Sequence, residues 1–393
     1  MDLRGSKRYS TKKKDENKIT CSIFLDLAKA FDSVDHRILI QKLEKYGIRG
    51  NALELIKSYL SNRQHYVKVN NVESRYRVLE IGVPQGSVLG PLLFLIFIND
   101  LPNCCKLDVT LFADDTFLSL ASKNIRQLRK EMGKELDKVY KWLVLNKLTL
   151  NISKSKYMLI SKGKRICTGD FRLKLDGIPL ERCVEYKYLG IYIDERLNWK
   201  RHIQYMCHKL SKVCGYFARL RNCAGMKTMK MIYNALVFSH LRYCNIVWGG
   251  ASKTILKPLI TLQNRIVRIM AFAPFQITDV RLFFEKFEFH NLEQINHFEI
   301  GKFMYKYKNN MLPEKFNGYF QLSGTNHNHN LRSVANEKYE QHRAKGLYGI
   351  KMIQHRGVKL WNELPFEIKN QSTLKRFTNL FKFYVTELGL NTL

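Results

Sequence analysis

No CxxC pair and no cysteine–histidine group with zinc-finger spacing occurs in the 393 residues. That excludes the common structural zinc sites, which need paired ligands at short intervals. The nine cysteines (Cys21, Cys104, Cys105, Cys167, Cys183, Cys207, Cys214, Cys223 and Cys244) are odd in number and scattered. Such usage suits a reducing compartment, nucleus or cytoplasm. A secretory leader is not expected, because the N-terminus is polar and basic (KRYSTKKKDENK, Lys7 to Lys18). Long apolar runs are also missing. The most apolar stretch, Val88 to Ile98, is about half of a membrane span and contains Gly90 and Pro91, so no membrane segment is expected. There is no internal repeat and no helix-turn-helix or RNA-recognition signature.

Acidic side chains are scarce. Asp+Glu number 34 against 66 Lys+Arg, a formal net charge of +32. So basic a surface binds polyanions by releasing their counterions, which makes nucleic acid the leading partner class. Charge alone does not separate an enzyme from a merely basic protein. An apolar fraction of 45% argues against disorder throughout, and the length allows two or three domains.

Residues 1–19 read as a solvated basic tail, with Lys12 to Lys14 an exposed charge run rather than an address. From Thr20 the patterning predicts structure. Cys21 to Leu25 reads as a short buried strand running into Asp26, followed by helices near Ile38–Tyr46 and Ala52–Leu60. His65–Val69 and Tyr76–Ile81 read as strands around the turn Asn70-Asn71, and an apolar helix is expected over Val88–Ile98. Val109–Leu120 is a strand run interrupted by Asp114 and Asp115. Ile125, Leu128, Met132, Leu136, Val139 and Leu143 recur at helical steps, and Asp176-Gly177 predicts a type I′ hairpin turn. This order predicts an α+β layer, an antiparallel sheet backed by helices. After Trp199 the chain turns helical, with a stripe of Ile203, Met206, Cys207, Leu210, Val213, Cys214 and Phe217. Helices are expected near Met229–His240 and Leu256–Met270, and a polar loop at Gly324–Asn330.

Two adjacent aspartates in FADD could simply make a β-turn. Asp26 changes the balance, because an unpaired carboxylate at the end of the apolar strand SIFLD is expensive to bury. Carboxylates from two neighbouring strand ends repel one another unless a cation sits between them. Hard divalent ions take such oxygen ligands, and two of them activate an attacking hydroxyl and stabilise a leaving pyrophosphate. Between these acids lies GVPQGSVLGP, Gly82 to Pro91, whose glycines and prolines mark a backbone that turns sharply and approaches something closely.

FLDLAKAFDSVDH, PQGSVLGPLLFLIFINDLP, FADD, LNISKSK (Leu150 to Lys156) and YKYLGIYID (Tyr186 to Asp194) stand in this order over about 170 residues. Together they resemble the polymerase motifs of reverse transcriptases, especially those of non-LTR retrotransposons of the jockey and chicken-repeat type. The resemblance implies a polymerase palm over 20–198 including a primer-grip hairpin, a helical thumb over 199–250 and a mostly helical accessory region over 251–393. It implies Asp26 and Asp114 as principal ligands of two Mg²⁺ (Mn²⁺ as a substitute), with Asp115 as the third acidic position. Phe31 matches the bulky gate against a ribose 2′-hydroxyl, and Gln85 and Gly86 match the loop near incoming nucleotide and template. Lys154 matches the basic residue that assists pyrophosphate departure, and Leu189 and Gly190 match the primer-grip turn. The implied partners are an RNA template, a DNA primer and deoxynucleoside triphosphates. LRYCNIVWG, LQNRIVRIM and RGVKLWNELPFEIK resemble segments that follow the polymerase domain in such elements, with no catalytic role attached.

Only 25 residues precede Asp26, where the family carries a fingers region and, farther upstream, an endonuclease; a copy truncated at its N-terminus is therefore expected. Two other readings stay open. Viral RNA-dependent polymerases share the palm, but they typically carry GDD and an aspartate where Phe31 stands. A catalytically inactive remnant would bind nucleic acid through its basic surface alone.

Overall fold

The computed structural model describes residues 18–161, 171–274, 279–323, 338–341 and 346–391. The basic tail before Lys18, Cys167 and the polar loop expected at Gly324–Asn330 lie outside the described residues. The chain forms two compact units, one ending at Tyr188 and the other starting at Leu189. Helices and strands are mixed, with the strands concentrated in the first unit.

The first unit is built on β1 (Ile19–Leu25), whose apolar residues suit a strand covered on both sides. Helices α1 (His36–Lys45) and α2 (Asn51–Leu60) follow. Asp35 caps α1, its carboxylate accepting from the Ile38 N–H at 3.1 Å while pairing with Lys147 at 2.6 Å. The expected hairpin around Asn70-Asn71 forms, but as two short ladders. The outer one joins β2 (Gln64–His65) to β5 (Arg77–Val78), and the inner one joins β3 (Lys68–Val69) to β4 (Val72–Glu73). Three residues, Ser74 to Tyr76, stand opposite two, Tyr66 and Val67, so a bulge breaks the register. Every residue from Gln64 to Val78 is exposed, which leaves the hairpin without a buried face to lengthen it.

Helix α3 (Leu89–Ile98) leads to the hairpin of β6 (Asp108–Phe112) and β7 (Asp115–Ser122). Asn124 caps α4 (Ile125–Leu145), accepting from the Arg126 and Gln127 N–H groups. Then come β8 (Lys156–Ser161) and the Asp176-Gly177 turn between β9 (Lys174–Leu175) and β10 (Ile178–Pro179). Both turn residues have positive φ, 51° and 73°, as a type I′ turn requires. β11 (Glu181–Arg182) and β12 (Glu185–Tyr188) complete the unit. The main sheet runs β11-β8-β1-β7-β6 and is antiparallel except for the parallel pair β11–β8. One face, through Cys21, Ile23, Leu25 and Leu118, packs on Leu39, Phe94, Leu128, Met132, Leu136 and Val139 of the helices.

The second unit begins with the turn Leu189-Gly190 and β13 (Ile191–Asp194), and is otherwise helical. Helix α5 (Lys200–Leu220) buries Ile203, Met206, Leu210, Val213, Cys214 and Phe217; Cys207 is half-buried. After α6 (Met226–Tyr233) a wider turn over Asn234–Phe238 leads to α7 (Ser239–Arg242), α8 (Asn245–Trp248), α9 (Lys253–Met270), α10 (Arg281–Phe287) and α11 (Leu292–Lys308). Leu259, Ile266 and Val267 of α9 share one core with α5 and α6, so packing continues across residue 250, where the sequence suggested a limit. A further cluster joins α11 to the helices Ile353–Glu363 and Leu374–Asn391 through Met304, Trp361, Phe377 and Phe381.

The three C-terminal motifs supply the polar ties of these cores. Buried Asn245 and Asn296 share a 2.6 Å bond, and Arg356 donates to Asn296 Oδ1 at 2.6 Å and to the Ile246 carbonyl at 3.0 Å. Gln263, fully buried, donates to Tyr233 Oη and to the His290 carbonyl. Buried polar groups need such partners, and these bonds supply them to Asn245, Asn296 and the Gln263 amide nitrogen. All eight described cysteines are free thiols, and no described helix is long and apolar enough to cross a membrane.

Candidate active site

Three stretches of chain converge at one end of the sheet. Asp26 is the residue after β1, and the β1–β7 ladder pairs Leu25 with Thr116. One further step in the same register sets Asp26 opposite Asp115. Directly opposed residues in such a ladder point to the same face, with Cβ atoms about 5 Å apart. Asp114 lies in the two-residue turn joining Phe112 to Asp115. Ala113, beside it, holds φ at 51°, a left-handed conformation that costs a non-glycine residue roughly 1–3 kcal/mol and clusters at functional sites.

The alternation of β1 decides which face the acids occupy. Cys21, Ile23 and Leu25 point to the helix-covered core, so Phe24 and Asp26 point to the other side. There Phe24 meets Phe117 across the ladder at 5.4 Å between ring centroids and stacks on Tyr186 at 4.1 Å, with Tyr188 tilted against both. The carboxylates therefore stand at the edge of an aromatic layer. Partial burial, then the charges of Asp114 and Asp26, raise the Asp115 carboxyl above its ordinary value. Burial and then the charge on Asp115 likewise push the Tyr186 and Tyr188 phenols up. The Tyr188 and Thr116 hydroxyls are buried without hydrogen-bond partners.

The donor chemistry fits a divalent cation: three carboxylates near one another, with no cationic side chain among the causes acting on Asp115. A closed cage is not what the fold builds. Among the described residues no group of three His, Cys, Asp or Glu is drawn together tightly enough to hold an ion. Mg²⁺ commonly takes only one or two carboxylates plus substrate phosphates, so a closed protein cage is not what such an ion requires.

Asp26 is fixed from behind by the loop that carries Lys154. Its N–H donates to Ser155 Oγ at 3.1 Å, and its carbonyl accepts from the Asn151 N–H at 2.8 Å. Ser155, fully buried, donates its hydroxyl to the Asn151 carbonyl at 2.9 Å. Lys154 itself is exposed on this loop. Ser155, Tyr186 and Tyr188 escaped the sequence reading, although all three sit inside segments it singled out.

The Gly82–Pro91 loop is tied to the segment after Asp26. Gly82 donates to the Val34 carbonyl and accepts from His36 Nε2, both at 2.7 Å, and the Val83 N–H donates to the Phe31 carbonyl at 2.8 Å. Gln85, expected to face a nucleotide, donates its amide to Asp32 Oδ1 at 2.8 Å; both side chains are exposed. Gly86 adopts φ 81° with open space around it. Phe31 is half-buried, its ring 4.7 Å from that of Phe94 in α3. Leu189 and Gly190 both hold positive φ, 45° and 80°, as a tight two-residue turn demands; they belong to the second unit.

The close approach inferred for this loop is internal. A Cβ on Gly82 would meet the Asp32 backbone at 2.9 Å, and one on Gly90 would collide with the Pro84 carbonyl oxygen. Gly90→Ala is expected to lower stability by about 1–3 kcal/mol, against the usual helix gain, because a backbone atom cannot step aside. A thermal melt checks this; an unchanged or raised Tm would show that the loop gives way.

Residues 2–193 match the family model described as reverse transcriptase (RNA-dependent DNA polymerase). Over that segment, just under half of the chain, the sequence is similar to the reverse transcriptase domain. Its relatives are RNA-directed DNA polymerases of non-LTR mobile elements. It is 31% identical over 265 residues to the RNA-directed DNA polymerase from mobile element jockey of Drosophila funebris, covering 64% of this chain and 28% of that one. It is 28% identical over 285 residues to the probable RNA-directed DNA polymerase from transposon BS of Drosophila melanogaster, covering 68% and 31%. The chain thus spans about three tenths of these relatives' length. An apo telomerase from Candida tropicalis aligns over 70% of this chain and 46% of its own, with 13% identity and a TM-score of 0.39.

Proposed function

We propose that the chain is an RNA-directed DNA polymerase that adds deoxynucleotides to a DNA 3′-end on an RNA template. The observation that carries this reading is the meeting of Asp26, Asp114 and Asp115 at one sheet end, where partial burial and then the charges of Asp114 and Asp26 raise the Asp115 carboxyl. In this palm, Asp26 and Asp114 would hold two Mg²⁺, for which Mn²⁺ can substitute, with Asp115 in support. Bound there, the ions would supply Lewis acidity for the attacking hydroxyl and the leaving pyrophosphate.

The chain's own residues do the positioning. Ser155 and Asn151 hold the backbone of Asp26, so its carboxylate cannot retreat from the primer end. Phe31, braced by Phe94, sits where a ribose 2′-hydroxyl would intrude. Gln85 and Gly86, secured through Asp32 and the Gly82 backbone, border the incoming nucleotide and the template. Lys154 faces the departing pyrophosphate. The Leu189–Gly190 turn grips the primer, α5 with the helices beyond it acts as a thumb, and the remaining helices are accessory. The net charge of +32 holds template and primer, and the work is done in nucleus or cytoplasm.

Purified chain given Mg²⁺, poly(rA)/oligo(dT) and dTTP is expected to incorporate label, and EDTA to stop it. Affinity for the same primer-template is expected to fall steeply with salt, by roughly 10³-fold between 50 and 200 mM if about six phosphates are contacted. Salt-sensitive binding without incorporation would leave a nucleic-acid-binding protein in place of the enzyme. Salt-insensitive binding would remove the basic surface from the account.

A further inference from the structure

The motif LRYCNIVWG carries no role in the reaction, yet one of its side chains reaches the turn proposed to grip the primer. Tyr243 Oη donates to the Leu189 carbonyl at 2.7 Å. Its ring also lies against Gly190: a Cβ built there would meet Tyr243 Cε1 at 3.4 Å. Leu189, left-handed at φ 45°, is an unfavourable conformer for a γ-branched residue, so its peptide needs an outside partner to hold one orientation.

Tyr243 is well placed to be that partner because it is anchored in turn. It ends α7, its N–H donating to the Ser239 carbonyl at 3.1 Å. Its own carbonyl accepts from Trp248 Nε1 at 2.9 Å, and Trp248 is fully buried in the helical core. Cys244, next in the chain, takes φ 49°, turning the backbone so that α8 can bring Trp248 beneath it. A rigid line thus runs from core Trp248 through the Tyr243 backbone and phenol to the Leu189–Gly190 peptide. The side chain is nonetheless 52% exposed, so burial is not what the phenol contributes.

We infer that Tyr243 is a positioning residue for the primer: its hydroxyl sets the Leu189–Gly190 peptide, and that peptide receives the backbone of the DNA 3′-end. This rests on the primer-grip part of the proposed function. A turn held by its own residues would admit other orientations of the Leu189 carbonyl; a turn held by Tyr243 presents one.

Fluorescence anisotropy on the full chain tests this without requiring turnover. The probes are an RNA template annealed to a recessed DNA primer, and the same RNA alone. Wild type is expected to prefer the recessed primer. Tyr243→Phe, which keeps the ring and deletes only the hydroxyl, is expected to lose roughly three- to tenfold of that preference, as for one neutral hydrogen bond. Its affinity for RNA alone and its Tm should not move. Gly190→Ala, which strains the turn at φ 80° and so shifts the peptide, should lose the same preference. An unchanged preference in Tyr243→Phe, an equal loss on both probes, or no preference in wild type would each overturn the inference. A chain that discriminates the primer but incorporates no dTTP would instead sink the polymerase reading and leave Tyr243 in place.

Discussion

Asp114→Asn is expected to reduce incorporation by roughly 10³-fold or more while leaving the fold and primer-template affinity intact. Asp114 is exposed in a two-residue turn and buries nothing, so the amide has no packing to disturb. In the proposed site it removes one negative ligand from the set that would share the metal charge. Metal-centred charge stabilisation is worth several kcal/mol in the transition state, and each 1.4 kcal/mol is about tenfold in rate. The substitution also lifts one of the two charges acting on Asp115, whose carboxyl should fall back toward its ordinary value. Single-turnover extension on poly(rA)/oligo(dT), with anisotropy and a thermal melt alongside, separates these effects. Retention of more than a tenth of wild-type incorporation would remove Asp114 from the metal set.

Phe31→Ala is expected to admit ribonucleotides, reducing sugar discrimination on the order of 10²-fold. The ring is half-buried, so part of it packs on Phe94 and part remains free to meet a nucleotide. Because the ring is only partly buried, truncation should cost less than the roughly 3–5 kcal/mol of a fully buried phenylalanine. The Phe31 carbonyl accepts from the Val83 N–H, a backbone tie that alanine preserves, so the Gly82–Pro91 loop should stay seated. Phe31→Tyr, which keeps the bulk, should stay selective. The ratio of kcat/KM for dTTP to that for UTP is the measurement. An active Phe31→Ala enzyme with unchanged selectivity would return the residue to the core.

Much of the first unit was legible in the sequence because its signals are local. A short, mostly apolar run marks β1, a helical period marks α4, and Asp176-Gly177 announces its own turn. The hairpin after α2 was legible in place but not in form, since a one-residue bulge leaves no trace in an apolar pattern. The parallel pairing of β11 with β8 joins strands 25 residues apart, which no local period reports. In the second unit the α5 stripe was plain, but its partner was not: the match with α9 is a matter of packing across residue 250.

The three aspartates show where the division lies. Sequence alone determined that Asp26 ends an apolar strand and that Asp114 and Asp115 interrupt another, because burial and alternation are written residue by residue. Only the tertiary structure decided that the β1–β7 register brings these ends together on the aromatic face, with Tyr186 and Tyr188 beside them. It alone found Ser155 behind Asp26 and Tyr243 behind Leu189, contacts 129 and 54 residues apart along the chain. A serine or tyrosine has the same local pattern whether its hydroxyl meets water or a distant peptide, so its partner is settled only when the chain folds.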